Sequence, residues 1–227
     1  MKKPARIAGI LLAALIAGYF AVDAVNRQLL TNTFNRIYAE GVWGRDETGK
    51  GISGTGSTLE ITREYRAYVE AFVKTHAVRS VVDAGCGDWN FSRAMDWNDA
   101  SYLGVDIASD VIEANRKKYE AGKIKFQVGD ITEDLPAADL LISKDVLQHL
   151  SNALVQKFIE NNLKRGKYRW VILTNDRGTG NKDTEPGGYR AIDLSAPPFG
   201  VGGLVDLPIK FGNETTKITS LLDATLQ

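Results

Sequence analysis

The chain has 227 residues, 44% hydrophobic and 25% charged, which suits one folded domain with an appendage and excludes a disordered or collagen-like protein. Residues 1–22 hold three basic and no acidic residues, so the remainder has 25 basic against 28 acidic residues. A mildly acidic body has no electrostatic attraction to nucleic acid, and we expect no such partner. The single cysteine, Cys86, excludes an internal disulfide, and with only two histidines a His/Cys metal site is excluded as well.

The amino-terminal segment is apolar. Residues 7–22 follow a short basic start and carry no charge. As a helix this run is about 24 Å long, slightly short of the roughly 30 Å hydrocarbon core of a bilayer, and neighbouring apolar residues lengthen it. The pattern predicts a membrane anchor over residues 1–25, formed by one transmembrane helix; the alternatives are a cleaved signal peptide and a buried core helix. Flanking basic residues weakly favour a cytoplasmic amino terminus, which would send the body across the membrane.

The rest of the chain divides into a linker and a body. Residues 26–60 combine an amphipathic helix, predicted over 24–40, with a glycine-rich stretch that we interpret as a lid. Residues 61–227 form the body, which begins with a helix predicted over 59–75. Short apolar runs then alternate with helical stretches at 111–119 and 152–163, which predicts a parallel sheet covered on both faces, a doubly wound α/β fold. The predicted strands lie at 80–84, 101–107, 124–128, 139–143 and 170–174, and two late runs, 204–209 and 217–222, are expected to pair antiparallel at the edge.

Polar residues end three consecutive predicted strands. Gly85 and Gly87 follow the first strand, but the third glycine of a dinucleotide fingerprint would fall at Asn90 and is missing. Asp106 ends the second strand, where an acid holds a ribose diol, and Asp130 follows the third, placed to meet the amine of an adenine. Because the carboxyl ends of parallel strands meet at one edge, this pattern predicts a site for a nucleoside ligand without phosphates.

Four motifs together resemble the class I S-adenosylmethionine-dependent methyltransferases. They are VDAGCG at 82–87, GVDI at 104–107, VGD at 128–130 and LISKDVLQHL at 141–150. The resemblance covers about residues 55–175 and implies a Rossmann-like methyltransferase fold, with a mostly parallel seven-stranded sheet whose last strand is antiparallel. Two looser echoes, SGTGS at 53–57 and PPF at 197–199, imply only a role in closing the pocket.

The resemblance also implies roles for individual residues, with S-adenosyl-L-methionine as the cofactor. The loop around its methionine part would be formed by Asp83, Gly85, Cys86 and Gly87. The ribose would be held by Asp106 beside Ile107, and the adenine would be flanked by Asp130 and Ile131. Beside the methyl group would stand Lys144 and Asp145. These assignments include no metal ligand.

Methyl transfer needs the acceptor held in line with the methyl group, and a base where the acceptor must lose a proton. The nearby candidates for that base are Asp145 and His149, whose i, i+4 spacing puts them on one face if the segment is helical. Asp145 as a helix cap or a ligand of the cofactor amine, and His149 as a structural residue, remain alternatives. We expect a membrane-anchored methyltransferase acting on a small-molecule, glycan or lipid-linked acceptor, at oxygen.

Two other functions fit parts of the pattern. A nicotinamide-dependent oxidoreductase is disfavoured by Asn90 and by the absence of a Tyr-x-x-x-Lys pair. A degenerate, non-catalytic domain would serve as a membrane-tethered binding module. For the enzyme, a cytosolic body is favoured because the cofactor is made in the cytosol, although the flanking charges favour the opposite side.

Overall fold

The computed structural model describes residues 3–213 and 215–224, with solvent exposure described for Gly18 and from residue 21 onwards. Within this part of the chain the helices are α1 (Lys3–Glu40), α2 (Arg63–Thr75), α3 (Ser109–Tyr119) and α4 (Asn152–Asn162). The strands are β1 (Ser80–Ala84), β2 (Ser101–Asp106), β3 (Ile124–Val128), β4 (Ala138–Lys144), β5 (Tyr168–Asp176), β6 (Leu204–Leu207) and β7 (Lys217–Asp223).

The seven strands form one mixed sheet in the order β3-β2-β1-β4-β5-β7-β6. Strands β1 to β5 pair in parallel, whereas β7 pairs antiparallel with both β5 and β6. The Rossmann-like, seven-stranded fold is therefore as predicted, and the two late runs do pair antiparallel. The order reverses at β1, which lies between β2 and β4, and this switch point is where open α/β sheets bind ligands.

Apolar side chains cover both faces of the sheet, as the strand pattern predicted. On one face α1 and α4 pack against the strands through Phe34, Ile37, Val155 and Phe158. On the other face α2 is joined by the connection from β1 to β2, which contains no α-helix among its described residues. Large side chains of that connection fill the place of a helix, namely Trp89, Phe91, Met95 and Trp97.

Helix boundaries follow local capping. Helix α4 begins after Ser151, whose hydroxyl accepts a hydrogen bond from the Leu154 amide at 3.4 Å, so the predicted N-cap is confirmed. Helix α2 begins at Arg63 rather than at residue 59, because the Thr62 hydroxyl donates to the Thr58 carbonyl and residues 59–62 form turns. The amphipathic helix predicted over 24–40 is the end of the longer α1.

The structure describes only part of the amino-terminal segment predicted as an anchor. In the part of the chain that the structure describes, no helix is long and apolar enough to span a bilayer. The predicted anchor, residues 1–25, falls mostly on residues whose side chains lie outside that part. From residue 21 onwards α1 exposes Val22, Val25 and Leu29, and its last turns pack onto the body.

Candidate active site

A cavity of about 300 Å³ opens at the carboxyl edge of the sheet, beside the switch point between β1 and β4. Its walls come from the end of α1, segment 53–57, the loop 85–88 and the residues that end β2, β3 and β4. Ligand cavities of a few hundred Å³ at this edge are the usual sites of doubly wound folds. The predicted cofactor and catalytic residues that line it are Gly85, Cys86, Gly87, Asp106, Ile107, Asp130, Ile131, Lys144, Asp145 and His149.

The glycine loop after β1 packs closely against two other segments. A Cβ on Gly85, at φ 87°, would lie 2.3 Å from a methyl of Val146. A Cβ on Gly87, at φ 53°, would lie 2.3 Å from the Ser53 hydroxyl oxygen. Both positions therefore need glycine for space and for backbone conformation. Between them, burial raises the pKa of the Cys86 thiol, so Cys86 is an unreactive wall residue.

Two carboxylates from adjacent strand ends converge on the cavity. Asp106 accepts hydrogen bonds from the Gly87 amide at 3.0 Å and the Ala108 amide at 2.9 Å. Asp130 accepts from the amide and the hydroxyl of Thr132, each at 2.8 Å. These bonds fix both carboxylates at the cavity wall, as the strand-end argument predicted.

Asp83, which the resemblance placed in the loop around the methionine part of the cofactor, does not line the cavity. Its carboxylate accepts from the Tyr102 hydroxyl at 2.5 Å and the Ser92 hydroxyl at 3.4 Å, and the residue is 3% exposed. Burial raises the pKa of Asp83 to about 7. Side chains alternate between the faces of a strand, and Asp83 points into the aromatic layer behind the loop rather than into the cavity.

A buried ionic network lies at the same edge. Asp145 accepts from the ammonium groups of Lys144 at 2.5 Å and Lys217 at 2.6 Å, and Lys217 also lies 3.3 Å from Asp176. Lys144 donates in addition to the Gly56 carbonyl at 2.9 Å, which holds segment 53–57 over the cavity. Burial acts to raise the pKa of Asp145, but the two ammonium groups outweigh it and hold the pKa below its ordinary value. Asp145 is therefore ionised and a weak base.

His149 is the other predicted base. The segment is not an α-helix, so the condition for the i, i+4 argument is not met: Asp145 has φ 57°, and a single 3-10 turn, Leu147–His149, follows. Both side chains nevertheless line the cavity. His149 Nδ1 lies 2.7 Å from the Gly188 carbonyl oxygen, which only accepts, so Nδ1 carries the proton and Nε2 holds a lone pair. Burial lowers the pKa of His149, so the imidazole is neutral at pH 7.

Sequence reasoning missed several cavity residues, among them Tyr38, Trp43, Asp176 and Lys217. The signal for Lys217 was the antiparallel strand β7, whose amino end lies at the edge where the parallel strands have their carboxyl ends. Segment 53–57, which loosely resembles a family motif, does line the cavity, and its Ser53 hydroxyl accepts a hydrogen bond from the Asp88 amide at 2.9 Å. The echo at 197–199 does not: Phe199 packs into the core.

Comparisons with known proteins agree with this geometry. A family described as a methyltransferase domain matches residues 81–165, and no curated protein sequence matches the chain. Among solved structures, magnesium protoporphyrin IX methyltransferase from Synechocystis PCC 6803 is 16% identical to this chain, with a TM-score of 0.57. The match covers 86% of this chain and 97% of the chain in that structure. The N-methyltransferase NodS from Bradyrhizobium japonicum WM9 is 14% identical (TM-score 0.54), covering 71% and 86%.

An O-methyltransferase family protein from Burkholderia thailandensis is 12% identical (TM-score 0.52), covering 72% of this chain and 56% of its own. At these identities the solved structures establish the shared fold, and the family match adds the kind of domain. The methyltransferase resemblance indicated by the four motifs is thereby confirmed: residues 81–165 match a methyltransferase domain, and the chain shares its fold with solved methyltransferase structures.

Proposed function

We propose that this enzyme transfers a methyl group from S-adenosyl-L-methionine to an oxygen of a small-molecule, glycan or lipid-linked acceptor. The observation that carries the proposal is that one cavity brings together the carboxylates of Asp106 and Asp130 and the neutral imidazole of His149. The magnesium protoporphyrin IX methyltransferase and NodS structures contain S-adenosyl-L-homocysteine, the product of that donor, which supports the same ligand here.

The donor groups of the cavity fit an adenosine. Asp106 offers carboxylate lone pairs to the ribose hydroxyls, and Asp130 offers them to the exocyclic amine of adenine. Ile107 and Ile131 give apolar walls for the flat base. When bound, the cofactor supplies a methyl group on a sulfonium, which is a good leaving group. Lys144 adds no net repulsion of that cation because Asp145 neutralises its ammonium group.

His149 is the better base for an acceptor hydroxyl. A neutral imidazole with a lone pair on Nε2 can take the hydroxyl proton as the new oxygen–carbon bond forms and the carbon–sulfur bond breaks. Asp145 is held ionised by two ammonium groups, and accepting a proton would weaken the charge-assisted hydrogen bonds to both of them. We therefore assign proton acceptance to His149, and to Asp145 the neutralisation and placement of Lys144 and Lys217.

Calorimetric titration of the full chain with S-adenosylmethionine and S-adenosylhomocysteine tests the cofactor site. Asp106→Asn should weaken binding roughly 10- to 100-fold, because a hydrogen bond to a charged group contributes about 1.5–3 kcal/mol. Asp110→Asn is the matched control, since Asp110 is exposed on the neighbouring helix and lies outside the cavity. Wild-type protein that binds neither compound would refute the proposal. Equal affinities of the Asp106→Asn variant and wild type would refute the role of Asp106.

We further propose that residues 1–25 tether the enzyme to a membrane, with the body on the cytosolic side where the cofactor is made. The uncharged run 7–22 supports this, and Val22, Val25 and Leu29, about 60% exposed, continue an apolar face along α1. Protease treatment of sealed vesicles carrying a tagged protein is the test. A body that is protected inside vesicles, or that washes off with salt, would contradict it.

A further inference from the structure

Two contacts fix the imidazole of His149. The Gly188 carbonyl accepts from Nδ1 at 2.7 Å. The indole of Trp43 covers the ring, with centroids 5.0 Å apart and planes tilted by 40°. The first contact selects the tautomer, and the second keeps water from one side of the ring. Neither contact uses the cofactor or the acceptor.

Both contacts depend on the end of α1. Trp43 packs edge-on against Tyr38, with ring centroids 5.6 Å apart, and also lies 6.1 Å from the ring of Phe34. Gly187, next to the accepting carbonyl, packs so closely on α1 that a Cβ would lie 2.7 Å from the Ile37 terminal methyl carbon. The Gly187 amide also donates to the His149 carbonyl at 2.9 Å. One helix therefore seats both neighbours of the imidazole.

The charged groups near His149 oppose one another. Asp145 and Asp176 favour the protonated ring, Lys217 disfavours it, and Tyr189 contributes a ring 6.0 Å away. Burial is the largest influence and lowers the pKa of His149. Removing the cover therefore raises the pKa, since water stabilises the charged form.

We propose that Trp43 and the Gly188 carbonyl, both seated on α1, are positioning groups. The carbonyl holds His149 in its Nδ1-protonated tautomer and leaves Nε2 as the proton acceptor, and the indole shields the ring from water. The inference rests on the proposed role of His149 as the base. Displacement of the end of α1 removes both contacts together, so the base is assembled only while α1 is docked on the body. The helix that extends from the predicted anchor thereby controls the catalytic group.

Nuclear magnetic resonance of the full chain tests this directly, because the protein has only two histidines, His76 and His149. His149→Gln assigns the imidazole signals. We expect nitrogen shifts of the Nδ1-protonated tautomer for His149 and a titration midpoint below that of a free imidazole. Trp43→Ala should raise the midpoint while the Gly188 carbonyl keeps the tautomer, whereas Trp43→Phe, which keeps an aromatic face, should leave the midpoint near that of wild type. Val42→Ala is the matched control, because Val42 adjoins Trp43 and is 60% exposed.

Gly187→Ala tests the second contact separately and covers the case in which Trp43→Ala does not fold. Its Cβ at φ 86° should shift the Gly188 carbonyl and release the tautomer. An Nε2-protonated His149 in wild type, or an unchanged midpoint and tautomer in every folded variant, would overturn the proposal. The signals need no cofactor or acceptor, so a protein with the expected tautomer but no methyl transfer would refute the proposed function instead. Where transfer is measured, Trp43→Ala should lower kcat/KM about tenfold and move its acidic limb to higher pH.

Discussion

The carboxyl group of Asp83 makes the stability of the fold depend on pH. It is 3% exposed and hydrogen-bonded by Tyr102 and Ser92, and burial, assisted by the charge of Asp106, raises its pKa to about 7. In the unfolded chain an aspartate has a pKa of about 3.9. Between about pH 4 and pH 7 the folded protein therefore binds a proton that the unfolded chain releases.

The direction in which stability changes with pH follows from the difference between the folded and unfolded pKa values of Asp83. Because the folded pKa is the higher one, the group stabilises the fold fully below about pH 4, and this contribution is lost as the pH rises through about 7. The loss is about 1.4 kcal/mol per pH unit, or about 4 kcal/mol over the three units. Asp83→Asn keeps an acceptor for the Tyr102 hydroxyl and does not titrate. Its free energy of unfolding relative to wild type should therefore rise with pH and level off above pH 7.

Urea denaturation between pH 4.5 and 8 measures this difference. Asp99→Asn is the control, because the Asp99 side chain is 97% exposed, and its curve should run parallel to that of wild type. If Asp83→Asn also ran parallel to wild type over the whole range, the reasoning about a protonated buried carboxyl would fail. A difference that falls with pH would show that the folded carboxyl is ionised more readily than the unfolded one.

Two further predictions concern the cavity. Lys217→Met should lower the free energy of unfolding by about 3–5 kcal/mol, because it removes one member of a buried ionic network and takes from Asp176 the ammonium group of its ion pair. Lys210→Met, at an exposed position, should change the free energy of unfolding little in the same denaturation assay. His149→Gln should lower kcat by roughly 10²- to 10⁴-fold and leave the affinity for S-adenosylhomocysteine unchanged. In wild type, the acidic limb of the pH profile of kcat/KM should lie below the ordinary pKa of imidazole. A small loss in the first assay, or loss of cofactor affinity in the second, would contradict these assignments.

Much of the fold could be predicted because apolar runs bounded by polar residues set the strands. The runs 80–84 and 124–128 match β1 and β3 to the residue. Strand β5 extends to Tyr168–Asp176, beyond the predicted 170–174, because pairing with β7 continues over its polar end. The place of β7 between β5 and β6 could not be predicted, since it depends on pairing between segments that are distant in sequence.

The site was predictable where strand ends bring residues together, and less so elsewhere. Asp106 ends β2 and Asp130 follows the neighbouring β3, so topology places both at one edge. Tyr38 and Trp43 reach the cavity from α1 and the residues after it, whose docking no local pattern encodes. The sequence analysis placed Asp83 at the cofactor loop, although the strand pattern could have shown otherwise. Asp83 lies within β1, where successive side chains point to opposite faces of the sheet.

The chemical division between Asp145 and His149 shows what the structure adds to a motif. In sequence both are candidate bases four residues apart, and spacing favours neither. Burial alone would make Asp145 the stronger base, but Lys144 and Lys217 reverse that effect and keep it ionised. Burial lowers the pKa of His149 and keeps the imidazole neutral, and the Gly188 carbonyl oxygen sets its tautomer. Because Lys217 comes from a strand about seventy residues away, the identity of the base depends on the tertiary fold and not on the motif.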